Sequence, residues 1–210
     1  MNFWQARLGC ILIALWLSGC AVAPALSPEQ RPRDWAQQVG SVPLRTDARL
    51  PNLYQVSPVL YRSAQPGVEG LDILNRQLAR NHGLPTEIKT VISLRNNAGD
   101  EALVKPVGVR YEQIRFNTWD VREEDVVRFL ALVRNPKNQP VLLHCKHGAD
   151  RTGMMVAIYR IVEQGWSKEA AIAEMTQGGF GYHTIWSNLT RYIRKMDVQT
   201  LKEKVAQFER

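Results

Sequence analysis

A short segment, residues 144–153, holds the side chains that could do chemistry on an anion. Cys145 is followed by Gly148 after three residues and by Arg151 after six, between a predicted strand and a predicted helix. Successive N–H groups of a tight loop at a helix N-terminus form a concave anion site, and Arg151 adds a planar fork of donors. All of these groups favour the thiolate form of Cys145 over the thiol. A nucleophile beside a cradle for a tetrahedral oxyanion predicts displacement at phosphorus.

The segment reads His-Cys-x-x-Gly-x-x-Arg-Thr-Gly, which resembles the signature loop of the cysteine-dependent protein tyrosine and dual-specificity phosphatases. The resemblance runs from about Leu53 to Ile193 and includes residues 60–66, 91–95 and 159–166. Within that family, the chain looks closest to the exported tyrosine phosphatases of Gram-negative bacteria. The resemblance implies a dual-specificity phosphatase-like fold.

The resemblance also implies a role for each residue of the loop. Cys145 would attack phosphorus and form a phosphocysteine, and Arg151 would bind the phosphoryl oxygens and stabilise the trigonal-bipyramidal transition state. Thr152 would donate a hydrogen bond to the cysteine sulfur, and His144 would orient the loop without exchanging protons. The residues expected to bind substrate through backbone or side chain are Lys146, His147, Gly148, Ala149, Asp150 and Arg151.

A general acid is required as well, because a poor leaving oxygen must be protonated as its bond to phosphorus breaks. In the family that the chain resembles, this acid is an aspartate on a mobile loop upstream of the cysteine, and Asp120 occupies that place. A helix N-cap is the alternative role for Asp120. The neighbouring acidic residues are expected to form the negative first turn of a helix: Glu123, Glu124 and Asp125.

Four further residues have two interpretations each. Lys146 and His147 either bind additional phosphates or are simply solvated. Arg62 either reaches the substrate or pairs with a carboxylate, and we favour the pairing. Trp119 is either a pocket wall or a core residue.

Metal chemistry has little support in the sequence. His82 and His183 are too scattered for metal-ligand spacing, and no cysteine remains to join them. We therefore predict no metal and no cofactor.

Strands alternate with helices around the loop. Apolar patterns predict strands over residues 53–56, 59–63, 90–94, 107–111 and 140–143. Apolar spacing and stop signals predict helices over residues 71–78, 126–133, 152–164, 168–176, 183–196 and 198–208. This order favours an α/β fold with a central, mainly parallel twisted sheet flanked by helices, and with the phosphate loop between a strand and a helix.

The composition is that of an ordinary globular protein. The chain has 210 residues, of which 45% are hydrophobic and 22% charged, and a formal net charge of +7. These values exclude disordered, collagen-like and multi-span membrane classes. The positive charge favours anionic partners. Because it is not concentrated in one helix or run, we predict no nucleic-acid partner.

The first twenty residues predict export from the cytoplasm. Arg7 is the only charge among them, and residues 8–17 are almost wholly apolar but too short to span a bilayer comfortably. The tetrapeptide Leu17-Ser18-Gly19-Cys20 resembles a bacterial lipobox, which implies that Cys20 carries lipid. An ordinary cleaved signal, with Cys20 incidental, is the alternative.

These features predict three segments: a lipoprotein signal peptide over residues 1–19, a lipidated N-terminus and tether over 20–45, and a phosphatase domain over 46–210. We expect the protein on the periplasmic side of the cell envelope, held by lipid on Cys20, and Ala21 favours the outer membrane. Cys145 is then the one unmodified thiol, and no intramolecular disulfide can form.

The sequence therefore predicts a metal-independent phosphomonoesterase whose first substrate is phosphotyrosine on proteins, with phosphoserine and phosphothreonine as further substrates. A phosphoinositide or inositol polyphosphate phosphatase is the alternative, because residues 150–153 resemble bacterial enzymes of that specificity, which carry Lys where this chain has Ala149. A non-catalytic phosphate-binding envelope lipoprotein is the second alternative. The oligomeric state stays open.

Overall fold

The structure is a computed structural model that describes residues 40–44, 50–67, 69–72, 87–97, 101–102 and 108–209. The predicted signal peptide, Cys20 and the tether up to residue 39 lie outside the described residues. So do residues 73–78 of the first predicted helix and Val107 of a predicted strand.

Six strands of the described chain form one sheet with the order β1-β2-β3-β6-β4-β5. The strands are β1 (Val42–Pro43), β2 (Tyr54–Ser57), β3 (Leu60–Ser63), β4 (Thr90–Ser93), β5 (Arg110–Gln113) and β6 (Val141–His144). Strands β3, β6, β4 and β5 are mutually parallel, whereas β1 and β2 add an antiparallel edge. The predicted central, mainly parallel sheet is confirmed.

Five α-helices and two short 3₁₀ helices are described in full, and residues 70–72 and 101–102 are also helical. The α-helices are α1 (Glu123–Arg134), α2 (Asp150–Gln164), α3 (Lys168–Gln177), α4 (Ser187–Lys195) and α5 (Val198–Phe208), and the 3₁₀ helices are Pro136–Asn138 and Thr184–Trp186. Local capping explains several of their ends. Ser167 caps α3 by accepting from the Ala170 N–H, Asp197 caps α5 by accepting from the Thr200 N–H, and Gly165 ends α2 in a left-handed conformation.

The sheet is buried on both faces, which explains why β6 and β4 contain consecutive apolar residues, Val141–Leu143 and Val91–Ile92. Along β6, Val141 and Leu143 pack in the core that the helices cover, and Leu142 packs in a smaller core on the opposite face. In α1, Phe129 and Leu130 are fully buried, as their helical spacing predicts. The sheet is therefore a rigid platform whose strand ends can hold a site.

Two details differ from the sequence-based expectations. Val42 pairs with Gln55 of β2, and Leu44 packs in the smaller core, so residues 42–44 belong to the folded domain and not to the predicted tether. The single helix predicted from residue 183 is a 3₁₀ turn followed by α4. Among the described residues, no helix has the length and apolar character needed to cross a membrane.

Candidate active site

The carboxyl ends of the parallel strands meet at one edge of the sheet. Ser63, His144, Ser93 and Gln113, the last residues of β3, β6, β4 and β5, lie in register across four neighbouring strands. Ligand sites of open α/β sheets lie at this edge. A cavity of about 510 Å³ opens there, lined by residues that follow β4, β5 and β6 and by the turn before α4.

The loop after β6, residues 145–151, forms the inner wall of this cavity. Cys145 lies in the cavity and is buried, with 3% of its surface exposed. The Lys146 carbonyl accepts a hydrogen bond from the Gln65 N–H, and the His147 carbonyl accepts one from Asn52 Nδ2. Contacts from the segments before β2 and after β3 therefore fix the curvature of the loop.

Gly148 is required by this curvature. Its φ is +71°, and a Cβ at this position would lie 2.5 Å from the Ser63 carbonyl oxygen and 2.6 Å from the Ala64 nitrogen. Both contacts are with backbone at the end of β3, which cannot move aside without disturbing the sheet. The loop can approach β3 this closely only because residue 148 has no side chain.

We expect Gly148→Ala to destabilise the protein by about 3 kcal/mol and to lower phosphatase activity at least tenfold, because left-handed strain and a backbone clash combine there. Thermal unfolding and steady-state kinetics measure the two effects. Gly165→Ala is the matched control, because Gly165 also has φ +71° but a Cβ added there would meet nothing within 4 Å. Equal losses of stability in the two variants would contradict the role of the clash.

Arg151 and Thr152 begin α2 beside Cys145. Arg151 Nη1 donates to the Leu94 carbonyl at 3.1 Å, which ties the guanidinium to the end of β4 while it lines the cavity. The Thr152 hydroxyl is buried, and no partner is found for it among the described residues. His144 Nδ1 lies 3.1 Å from the Cys145 carbonyl, so the tautomer protonated at Nδ1 donates to it. The predicted loop residues thus lie together.

The acidic side chain of this loop has a partner that the sequence did not indicate. Asp150 is buried and accepts from the His183 N–H at 2.8 Å and from His183 Nδ1 at 2.9 Å. The His147 ring lies 5.6 Å from the His183 ring. Burial, with Lys146 and His183 nearby, lowers the pKa of His147 below its usual value, so its ring is neutral at physiological pH.

The expectation that His183 stands apart is therefore wrong. His147, Asp150 and His183 bring potential metal-ligand atoms within 4.8 Å of one another. This is a donor set that suits a transition metal, although the adjacent Lys146 and Arg151 charges oppose a cation. The chain reverses direction between α3 and His183, and the glycine-rich turn at residues 178–181 was a sequence signal for this reversal. Gly179 and Gly181 in this turn both have positive φ.

Asp120 lies beside the cavity but outside it. Thr118 and Trp119, immediately before it, line the cavity, whereas the Asp120 side chain is exposed and is not among the lining residues. Its backbone N–H donates to the Asn117 carbonyl at 3.3 Å. The alternative N-cap role is wrong, because Arg122 is the N-cap of α1. The expected acidic first turn of α1, residues 123–125, is confirmed.

Aromatic and aliphatic side chains form the outer wall. Trp119 is 70% exposed and Ile185 is 64% exposed, and both line the cavity. The Trp119 and Trp186 rings lie 6.4 Å apart and are tilted by 36°. Trp119 is thus a pocket wall and not a core residue. Trp186 packs partly against the core, as expected, but also lines the cavity.

Arg62 does neither of the two things considered from sequence. It is fully buried, and its Nη2 donates to the Gly148 carbonyl at 2.7 Å while its guanidinium lies 3.7 Å from the Phe180 ring centroid. The buried carboxylate nearby, Glu174, pairs with Arg160 instead. The expected Arg62–carboxylate pairing is therefore wrong, and Arg62 supports the loop from behind.

Comparison with known proteins agrees with this geometry. Residues 46–188 match a family described as DSP-PTPase phosphatase fused to NAD+ kinase. The chain belongs to the DSP-type protein tyrosine phosphatases. It is 34% identical over 207 residues to the dual specificity protein phosphatase TpbA of Pseudomonas aeruginosa strain UCBPP-PA14, and this match covers 98% of the chain and 87% of TpbA.

Solved structures of this phosphatase family share the fold. A crystal structure of P. aeruginosa TpbA has a TM-score of 0.66 and 36% identity, and the match covers 80% of this chain and 96% of that one. A crystal structure of a TpbA variant in complex with pTyr has a TM-score of 0.63 and 35% identity, covering 78% and 99%.

A yeast phosphatase is a more distant relative. The inositol diphosphatase SIW14 of Saccharomyces cerevisiae is 26% identical over 124 residues, which is 55% of this chain and 41% of SIW14. The SIW14 catalytic core shares the fold, with a TM-score of 0.63, 22% identity and coverage of 78% and 96%.

Proposed function

We propose that this phosphatase hydrolyses phosphotyrosine on proteins through a phosphocysteine intermediate. The observation that carries the proposal is a buried Cys145 in a cavity whose outer wall is formed by Trp119, Ile185 and Trp186. When the phosphate of a substrate lies at the Cys145 sulfur, the organic group attached to that phosphate lies between these side chains. An aromatic ring fits such surroundings through apolar and ring contacts. The similarity to TpbA, which has been crystallised with pTyr, supports the same substrate.

In the first proposed step, the Cys145 thiolate attacks phosphorus, an S–P bond forms and the P–O bond to tyrosine breaks. Asp120 gives its proton to the departing phenolic oxygen. The backbone N–H groups of the loop and the Arg151 guanidinium bind the equatorial oxygens, on which charge accumulates in the transition state.

In the second proposed step, water attacks phosphorus and the S–P bond breaks. Asp120, now ionised, takes a proton from this water, so inorganic phosphate leaves and the thiolate is restored. The buried Thr152 hydroxyl, which has no partner among the described residues, is available to donate to the sulfur as it departs. Asp120 thus regains in the second step the proton that it gave in the first.

Asp120 must come closer to the cavity in this mechanism. It follows Thr118 and Trp119, which already line the cavity, and its exposed side chain leaves it free to turn. We propose that segment 118–121 moves toward the bound phosphate and carries Asp120 to the leaving oxygen. Such loop closure is a common way to complete a catalytic site.

We expect Asp120→Asn to lower kcat/KM for a phosphotyrosine peptide by about 10²-fold or more, because the phenolate then leaves unprotonated in the step that kcat/KM reports. The loss for p-nitrophenyl phosphate should be smaller, since that leaving group needs little protonation. Steady-state kinetics on both substrates check this. Glu124→Gln removes an exposed charge from the same region and should change neither rate. Equal losses of kcat/KM on both substrates in Asp120→Asn would contradict the role of Asp120 as general acid.

A cationic rim supports a second candidate, hydrolysis of inositol phosphates. Lys146 is exposed beside Cys145, and Arg95 and Arg151 also line the cavity. The additional phosphate groups of an inositol polyphosphate would form ion pairs with these positive charges. The similarity to the inositol diphosphatase SIW14 points the same way.

Phosphate release from a defined panel decides between the candidates. The panel holds a phosphotyrosine peptide, a phosphoserine peptide and inositol polyphosphates, with Cys145→Ser as blank and with no added metal. Turnover of phosphotyrosine far above the others is the expected result. A preference for inositol polyphosphates would establish the second candidate and make Lys146 the residue to test. No turnover above the blank would favour a phosphate-binding protein without catalysis.

We also propose that the protein works in the periplasm, anchored through lipid on Cys20. The apolar residues 8–17 followed by Leu17-Ser18-Gly19-Cys20 support this location, and several acyl chains hold a protein stably on a membrane. Membrane fractionation of cells expressing the chain and its Cys20→Ala variant tests the proposal. The parent should sediment with membranes and the variant should not. Equal distribution of the two would leave Cys20 as part of an ordinary signal.

A further inference from the structure

Arg62 lies on the central strand pair directly behind the catalytic loop. It belongs to β3 and pairs with Leu143 of β6, two residues before Cys145. Its side chain is completely buried. Burial lowers the pKa of Arg62 to about 10, which keeps the guanidinium charged at physiological pH. The fold therefore places a permanent positive charge beneath the loop, where substrate cannot reach it.

The contacts of Arg62 leave much of that charge uncompensated. Nη2 donates to the Gly148 carbonyl at 2.7 Å, and the guanidinium lies over the Phe180 ring at 3.7 Å. Nε and Nη1 are buried, and neither has a hydrogen-bond partner among the described residues. A buried charge without an ionic partner is costly, so proteins rarely keep one without a use.

Arg160 shows what a compensated buried arginine looks like in the same molecule. It is 1% exposed and lies 4.4 Å from the Trp166 ring centroid, an environment close to that of Arg62. Its Nε donates to Glu174 at 2.9 Å and its Nη2 at 3.0 Å. Its remaining donors bond to the Val56 carbonyl, Gln164 and Ser41. Glu174 is therefore already committed to Arg160.

The acidic groups whose charge acts on Arg62 are Glu174, Cys145 and Tyr54. Glu174 accepts its hydrogen bonds from Arg160, and of the three groups only Cys145 belongs to the loop whose Gly148 carbonyl Arg62 holds. By reciprocity, the guanidinium stabilises the thiolate as much as the thiolate stabilises the guanidinium.

We propose that Arg62 is a positioning residue that stabilises the Cys145 thiolate and orients the amides of the catalytic loop. The proposal rests on the proposed cysteine mechanism. Arg62 acts through the loop and makes no contact with substrate. Arg62 is fully buried and is not among the residues that line the cavity, so its charge acts from behind the loop.

The hydrogen bond to Gly148 orients the loop. In a trans peptide, the C=O and the following N–H point in opposite directions. Arg62 draws the Gly148 carbonyl toward β3, which turns the Ala149 N–H away from β3. A carbonyl pointing at the sulfur would repel the thiolate, whereas an N–H on that side stabilises it.

Other charged or titratable groups also surround the sulfur, on the loop, after β4 and on the turn before α4. They are His144, which precedes Cys145 in the chain, and the cavity-lining residues Arg95, Lys146, His147, Asp150, Arg151 and His183. Arg62→Gln leaves all of them in the chain and keeps a donor for the Gly148 carbonyl, so it disturbs the loop least. The change caused by an Arg62 variant therefore reports the contribution of Arg62.

The test measures the rate of Cys145 alkylation by iodoacetamide as a function of pH, since only the thiolate reacts. The full chain carries Cys10→Ser and Cys20→Ser, so Cys145 is its one thiol. Arg62→Gln keeps a donor for the Gly148 carbonyl but removes the charge, and Arg62→Lys keeps the charge. Arg62→Met is a second neutral variant that preserves the apolar contact with Phe180. Circular dichroism at low temperature shows which variants are folded, and alkylation rates are compared among those.

We expect the pH midpoint of alkylation to be about one unit higher in the neutral variants, so that well below the parent's midpoint they are alkylated about tenfold more slowly. The acidic limb of kcat/KM should move in the same direction. Arg62→Lys should stay close to the parent. An unchanged alkylation midpoint in a folded neutral variant would overturn the proposal, and so would the same upward shift in Arg62→Lys.

The double variant Arg160→Met/Glu174→Gln is the matched control. It removes the other buried arginine together with its carboxylate, so the net charge is unchanged. We expect a less stable protein with the parent's alkylation midpoint. The alkylation readout needs no phosphatase substrate, so a failure of the proposed phosphotyrosine activity remains separate from a failure of the Arg62 proposal.

Discussion

Replacing Cys145 with serine should lower kcat for every phosphomonoester by about 10⁴-fold or more, a loss typical of removing a catalytic nucleophile. A serine hydroxyl stays protonated at neutral pH. Neither Arg62 from behind the loop nor Arg151 from the cavity can hold it as an alkoxide. Single-turnover and steady-state phosphate release from a phosphotyrosine peptide measure this effect.

Binding should survive the same change. The loop N–H groups and Arg151 remain in Cys145→Ser, so a phosphotyrosine peptide should still bind, as measured by isothermal titration calorimetry. Cys20→Ser is the matched control, because it makes the same substitution outside the site and should keep full kcat. Residual turnover of more than about one hundredth in Cys145→Ser would contradict the phosphocysteine mechanism, since it would exceed what positioning alone supplies.

The sequence was sufficient to predict those elements and site residues that depend only on residues close together in the chain. The apolar run at Val141–Leu143 predicted β6, because burial on both faces requires apolar residues on both sides of the strand. The spacing from Cys145 to Arg151 predicted the loop, because those residues meet through one turn at the start of α2. The bounds of α5, residues 198–208, were predicted correctly from an apolar helical pattern.

Contacts between distant parts of the chain could not be predicted in the same way. Arg62 precedes Gly148 by 86 residues, and His183 follows Asp150 by 33. Glu174 pairs with Arg160 and not with Arg62. This choice depends on the order of β3 and β6 in the sheet, which local sequence patterns do not contain. Strand β1 was missed because two residues, one of them proline, carry no periodic signal.

Replacing Arg151 with lysine should lower kcat/KM for phosphotyrosine by about 10³-fold, although the charge is kept. One edge of the guanidinium is already engaged, since Nη1 donates to the Leu94 carbonyl. The remaining donors of the planar fork are available to the cavity that Arg151 lines, and they can hold two phosphoryl oxygens at once. A lysine ammonium is a single point charge, and it cannot satisfy the end of β4 and two oxygens together.

The loss should appear mainly in kcat, because the equatorial oxygens gain charge and spread apart in the transition state, and there the fork geometry matters most. Competition by orthovanadate, which adopts the same five-coordinate shape, should weaken more than competition by inorganic phosphate. Arg128→Lys is the matched control: Arg128 Nη1 also donates to a strand-end carbonyl, that of Gln113 at 3.1 Å, but it lies away from the cavity. A loss confined to KM, with orthovanadate and phosphate weakened equally, would mean that Arg151 binds the ground state and not the transition state.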